Sequence, residues 1–182
     1  MELHECIESF FDIGGERQIQ QSREELKKVL KELEGKRFNN YVEIGGSFGG
    51  SLWVYANMVC NKGANITVLE LAPVDALRKT IKKLTDNEFK VRLIPGHSWD
   101  APIVENIDLL HIDSQHDYDV LKGEFDKYFP YVIKGGVVLI HDTLLHEGCI
   151  QFREELEKTH SCKTFDSAGD ELTCGITMVV KK

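Results

Sequence analysis

The chain has 182 residues, 42% apolar and 29% charged, with a formal net charge of −8. A chain of this size buries a core without metal or disulfide staples, and this composition excludes disorder; no apolar run approaches the roughly 18 residues that cross a bilayer. The acidic balance argues against nucleic acid as a partner, and five scattered cysteines with no C-x-x-C pair, behind an N-terminus without a secretory pattern, point to reduced thiols in the cytoplasm.

The first predicted helix begins at Ser22, where Ser22-x-x-Glu25 has capping-box spacing; Leu26, Val29, Leu30 and Leu33 recur at helical intervals and Gly35 is the stop. A strand over 41–44, a glycine-rich turn and a helix over 51–60 follow. Next come a strand over 66–71, a helix over 73–84 and a strand over 91–94. Arg78, Lys79, Lys82 and Lys83 of that second helix read as a solvated face. A strand over 107–113 precedes a helix marked by Tyr118, Leu121, Phe125 and Tyr128. Lys134-Gly135-Gly136 turns the chain back into a strand over 137–141. A helix over 147–159 and two short strands, 163–165 and 176–180, finish as an antiparallel hairpin-like edge around Asp170. The alternation of strand and helix predicts one α/β domain over 1–182, a Rossmann-like three-layer sandwich on a mostly parallel seven-stranded sheet with an antiparallel C-terminal strand.

The stretch Tyr41-Val-Glu-Ile-Gly-Gly-Ser-Phe-Gly-Gly-Ser51 carries the most chemical information. Glycines between a strand and a helix let a ligand approach the backbone and the free N–H groups of the helix end. Dinucleotide binding asks for G-x-G-x-x-G, and Ser47 stands where its second glycine belongs. The spacing here is Glu43-x-Gly45-x-x-x-Gly49. A carboxylate two residues before the first glycine suits a cationic amino-acid portion and repels a pyrophosphate. Glu70, at the tip of the second strand, stands where nucleotide-binding folds place an acid for ribose hydroxyls.

Together, this loop, the acid-tipped strand and Ile107-Asp-Leu-Leu-His-Ile-Asp-Ser-Gln-His116 resemble class I S-adenosylmethionine-dependent methyltransferases. Within them the chain is similar to the small-molecule O-methyltransferase branch, the broad group of cephalosporin and macrolide-sugar methylating enzymes. That branch carries I-D-G-x-H-x-Y after the fourth strand, here Ile112-Asp-Ser-Gln-His-Asp-Tyr118. A G-G helix end and an H-D-T strand end follow, here Gly135-Gly136 and His141-Asp142-Thr143. The resemblance covers residues 15–145. It implies S-adenosylmethionine as cofactor, held by Glu43, Gly45, Gly46, Ser47, Gly49 and Ser51 around the methionine portion. Glu70 and Leu71 would sit at the ribose, His97 and Ser98 near the adenine, and Asp113 at the reacting centre. His97 departs from the acid usual in its motif.

The chemistry then expected is methyl transfer to a small polar or sugar-like hydroxyl acceptor, with His116 as general base beside Asp113. Asp113 and Asp142 end adjacent strands, and with His141 they form a candidate site for a divalent metal; His141 suits Mn²⁺, Fe²⁺ or Zn²⁺ better than Mg²⁺. A metal-free reading has the two aspartates orienting His116 or the acceptor. His111 reads as a hydrogen-bonded core histidine, and Trp99 as either an adenine-stacking or a packing aromatic. Residues 1–20, with Ile7, Phe10, Phe11 and Ile13, are expected to cover the site or to form a homodimer contact. A nicotinamide-dependent oxidoreductase and a non-catalytic scaffold are the alternative function classes.

Overall fold

The computed structural model describes residues 5–6, 21–167 and 173–182. The cover or dimer segment expected at 1–20 therefore lies, apart from Glu5 and Cys6, outside the described residues, as does Asp170. In chain order the elements are α1 (Arg23–Glu32), β1 (Phe38–Ile44), α2 (Gly50–Val59), β2 (Cys60–Glu70), α3 (Asp75–Asp86), β3 (Lys90–Pro95), β4 (Ile107–Ile112), α4 (Tyr118–Tyr128), β5 (Val132–Ile140), α5 (Glu147–Thr159), β6 (Cys162–Phe165) and β7 (Ile176–Val180). The seven strands form one sheet in the order β3-β2-β1-β4-β5-β7-β6. Every pairing is parallel except those of β7, which runs antiparallel to both β5 and β6. Among the described residues no helix is long and apolar enough to cross a membrane.

β1 begins three residues earlier than the alternation pattern predicts, and β2 and β5 begin six and five residues earlier because each contains a bulge. Along β2 the register steps from Phe38↔Cys60 to Asn40↔Asn65, and along β5 from Ile107↔Val132 to Leu109↔Val137. The extra residues bulge out and contain Gly63 and Gly135, with φ of +79° and +80° and open space around them. Lys134-Gly135-Gly136 is thus a bulge within a strand and not the turn before it, because a glycine at positive φ serves either purpose.

Strand alternation divides the core into two layers. Tyr41, Leu109, Val137 and Leu139 face α1, α2 and α3, packing on Leu26, Val29, Leu52, Leu77 and Leu84. Val42, Ile44, Leu110, Ile112, Val138 and Ile140 face α4 and α5, against Leu121, Phe125, Phe152 and Leu156. Continuing the first pattern by two residues brings Glu43, His111 and His141 to the α1 face at the carboxyl ends of β1, β4 and β5. These polar groups sit where apolar ones would complete the layer. Arg78, Lys79, Lys82 and Lys83 lie on the exposed face of α3 as expected.

The capping box at the start of α1 does not form. Ser22 is the N-cap residue but makes no side-chain capping bond, and the Glu25 carboxylate turns inward to accept the Gly175 N–H at 3.0 Å. Glu25 is fully buried. A glutamate at this spacing can serve the helix end or the interior, and here the interior holds it.

Candidate active site

Residues 45–49, between β1 and α2, hold three positive φ angles: Gly45 at +87°, Ser47 at +44° and Gly49 at +89°. Side chains are excluded by contact as well as by conformation. A Cβ on Gly45 would lie 1.9 Å from the Asp113 carbonyl oxygen, one on Gly46 2.7 Å from Val68 Cγ1, and one on Gly49 2.9 Å from Thr80 Cβ. The loop is therefore wedged against the tips of β2 and β4. At the end of β2 the Glu70 carboxylate accepts the backbone N–H groups of Ser47 at 2.8 Å and Ala72 at 3.0 Å. These contacts fix the acid at the loop and leave lone pairs on both oxygens for a ligand.

A cleft of about 480 Å³ opens over the carboxyl ends of the strands, within the range of small-molecule sites. Of the residues singled out in the sequence, Gly45, Ser47, Glu70, Leu71, His97, Ser98, Asp113, His116, His141 and Asp142 line it. Glu43, Gly46, Gly49 and Ser51 do not; they lie behind the lining and shape it. Glu43 is fully buried and accepts a hydrogen bond from the Ser51 hydroxyl. Its expected place against the ligand is thus corrected to one beneath the loop.

From Glu43 a chain of polar contacts runs under the cleft. His111 Nδ1 lies 3.2 Å from Glu43 Oε1, and Gln21 Nε2 lies 3.2 Å from His111 Nε2 and 3.0 Å from Asp113 Oδ2. With its proton on Nδ1, His111 donates to Glu43 and accepts from Gln21, the role of a core histidine. Beyond Asp113, His141 Nδ1 is 3.2 Å from both Asp113 Oδ1 and Asp142 Oδ2. Asp142 Oδ2 in turn lies 2.8 Å from His116 Nε2, and the His116 ring stacks on His146 with centroids 3.9 Å apart. Burial alone would push the Asp113 carboxyl up, but the charge and hydrogen bond of His141 outweigh it and hold the group well below the usual carboxylate range. Burial pushes His141 down; Asp113 and Asp142 outweigh it and hold the imidazole well above its ordinary value. The pair is an imidazolium–carboxylate contact at the cleft floor.

Sequence reading missed several groups that build this site. Gln21 and Cys174 come from segments with no motif. Glu124 of α4 lines the cleft and accepts the hydroxyls of Ser98 at 2.6 Å and Ser114 at 2.5 Å; burial pushes its carboxyl up. Lys127, one turn on, donates to the carbonyls of Ser98, Trp99 and Ala101 at 2.7, 2.7 and 2.8 Å. These bonds bolt the loop after β3 to α4. Trp99 is 48% exposed and lies over Gly123, where a Cβ would come 1.7 Å from its ring. The signal for this contact was a glycine in the middle of an otherwise regular helix.

A 3-2-1-4-5-7-6 sheet with a glycine loop and acid tips around a cleft defines a Rossmann-like, cofactor-binding class of protein. The methyltransferase domain family model matches residues 42–143, from β1 to just past β5, and the chain belongs to that family. The O-methyltransferase of Bacillus cereus, solved with SAH, is similar at 19% identity over 98% of this chain and 90% of that one, with a TM-score of 0.68. The O-methyltransferase TomG of Streptomyces achromogenes, involved in tomaymycin synthesis and solved with SAM, is similar at 17% identity over 99% and 89% of the two chains, TM-score 0.68. An uncharacterized protein of Acanthamoeba polyphaga mimivirus is 32% identical over 115 residues, 56% of this chain and 50% of that protein. The chain thus spans about half the length of this curated relative.

Proposed function

We propose that the chain is an S-adenosylmethionine-dependent O-methyltransferase acting on a small polar or sugar-like hydroxyl acceptor. The observation that carries this is the charge of the cleft. Glu70, Asp113, Glu124 and Asp142 line it, and among the described residues no Lys or Arg does. Such a lining favours a cation and repels a pyrophosphate, so it speaks against the nicotinamide alternative. S-adenosylmethionine, when bound, supplies a methyl group on positively charged sulfur. Gly45 and Ser47 would hold its methionine portion, Glu70 the ribose, and the loop carrying His97, Ser98 and Trp99 the adenine. The two solved O-methyltransferases, bound to SAH and SAM, support the same cofactor. His116, with one ring nitrogen on Asp142, keeps the other for the acceptor's proton.

A cation shared by Asp113, His141 and Asp142 does not fit this arrangement. His141 Nδ1 stands at hydrogen-bond distance from both carboxylates, and Asp142 also takes His116. These groups satisfy one another, which supports the reading in which they orient His116.

The test is titration calorimetry with S-adenosylhomocysteine, with NAD⁺ as control. Saturable binding of the former and none of the latter is expected; the reverse, or neither from folded protein, sinks the reading. The adenine side has its own test. Gly123→Leu drives Trp99 off α4, and the lost stacking, about 0.5–1.5 kcal/mol, should weaken S-adenosylhomocysteine about 2- to 10-fold and shift the tryptophan emission. An emission shift without any loss of affinity would leave Trp99 a packing residue.

A further inference from the structure

His141 has a second side. Its Nδ1 is held by Asp113 and Asp142, while its Nε2 is buried, faces the Cys174 side chain and has no hydrogen bond of good geometry among the described residues. Glu25 Oε2 is likewise buried without one among the described residues, the other oxygen of that carboxylate being taken by the Gly175 N–H. Both side chains are more than nine-tenths buried, Glu25 at 0% and His141 at 4% exposure. Cys174, in the segment between β6 and β7, completes the group: one donor atom from each of Glu25, His141 and Cys174 lies within 4.8 Å of the other two.

We propose that Glu25, His141 and Cys174 form a site for a zinc-like divalent transition ion. A thiolate, an imidazole and a carboxylate are the ligands that such an ion accepts together, with bonds of about 2.0–2.3 Å. Around a tetrahedral ion of those bond lengths the donors stand about 3.3–3.6 Å apart, so side-chain shifts of about 1–1.5 Å close the set. The His141 ring is already turned for this. Its Nδ1–H is donated to Asp113, the carboxylate–histidine contact that fixes a ligating imidazole through its far nitrogen, and the ion takes the place of the proton that the imidazolium carries on Nε2. The layered core explains why: two residues past Leu139, His141 points to the α1 face, where Glu25 hangs from the first turn of the helix. His141 and Cys174 also line the cleft, which leaves the cleft side for water or an acceptor oxygen as fourth ligand.

This site differs from the Asp113/His141/Asp142 trio in its donors and in the nitrogen it uses, and it stands whether or not the chain transfers methyl groups. The test is titration of chelator-treated full-length protein with Co²⁺ alone. One equivalent should produce a near-ultraviolet thiolate-to-cobalt band and visible d–d bands, both abolished by Zn²⁺. Cys174→Ser should remove the charge-transfer band, and Glu25→Gln should weaken Co²⁺ at least 10-fold with the band retained. Asp142→Asn should leave the band in place. Absence of the band in folded wild-type protein overturns the site, as does a band that survives Cys174→Ser. Cobalt binding lost in Asp142→Asn but kept in both other variants would assign the ion to the trio instead.

Discussion

Gly45→Ala should cost the protein about 2–5 kcal/mol and its binding of S-adenosylhomocysteine. Two independent terms add. At φ +87° an L-residue suffers about 1–2 kcal/mol of backbone strain. The new Cβ would then stand 1.9 Å from the Asp113 carbonyl oxygen and 2.5 Å from its carbon. These are backbone atoms at the end of β4, so no side chain can rotate away; overpacking of this kind costs about 1–3 kcal/mol. For a domain of this length the sum corresponds to a fall in Tm of roughly 4–20 °C. Relief can come only by parting the loop from β4, which displaces Gly45, Ser47 and Asp113, all lining the cleft. Gly35→Ala is the control, because Gly35 has φ +80° but open space around it. That variant should lose only the conformational term, about 1–2 kcal/mol, with ligand binding unchanged. Calorimetric unfolding and ligand titration of both proteins decide the matter. Equal Tm and equal affinity in the two variants would refute the steric role of Gly45.

The same residues show what a sequence can disclose. The loop glycines Gly45 and Gly49 and the strand-tip Glu70 are legible because a tight strand–loop–helix connection dictates both residue type and spacing. The sheet is legible because apolar alternation follows local geometry. Glu25 is misread as a helix cap because its destination is the Gly175 N–H, 150 residues further along the chain, a contact that no local pattern encodes. Glu43 is read in the sequence as facing a ligand and sits one layer deeper: a strand-end acid can point at ligand or core, and here its bonds to Ser51 and His111 hold it in the core. Gln21, Glu124 and Cys174 come from parts of the chain distant from the motifs, and only the fold brings them to the cleft and its floor. The Gly63 and Gly135 bulges hide two strand starts, since the same glycine would equally mark a turn.

His116→Ala should lower kcat by about 10²- to 10⁴-fold while changing S-adenosylhomocysteine affinity by no more than about twofold. Both halves follow from the position of the ring. Its side chain is 42% exposed at the cleft, and it is anchored by Asp142 at 2.8 Å and by the His146 ring stacked 3.9 Å away. On truncation Asp142 loses this contact but keeps His141 Nδ1 at 3.2 Å, so the fold and the cofactor side should survive. What is removed is a nitrogen held in a fixed direction, and a positioned base of this kind is worth about 3–5 kcal/mol in the transition state. His146→Ala, which removes the stacking partner and leaves His116 in place, should cost only a few-fold in kcat. The measurement is S-adenosylhomocysteine release across a panel of hydroxyl acceptors, followed against pH for the best one. Loss of turnover in His116→Ala, with affinity kept, assigns the base. Turnover within a few-fold of wild type would transfer that role to Asp113 or to solvent. A wild-type protein that binds S-adenosylhomocysteine yet turns over no acceptor would instead favour a non-catalytic scaffold.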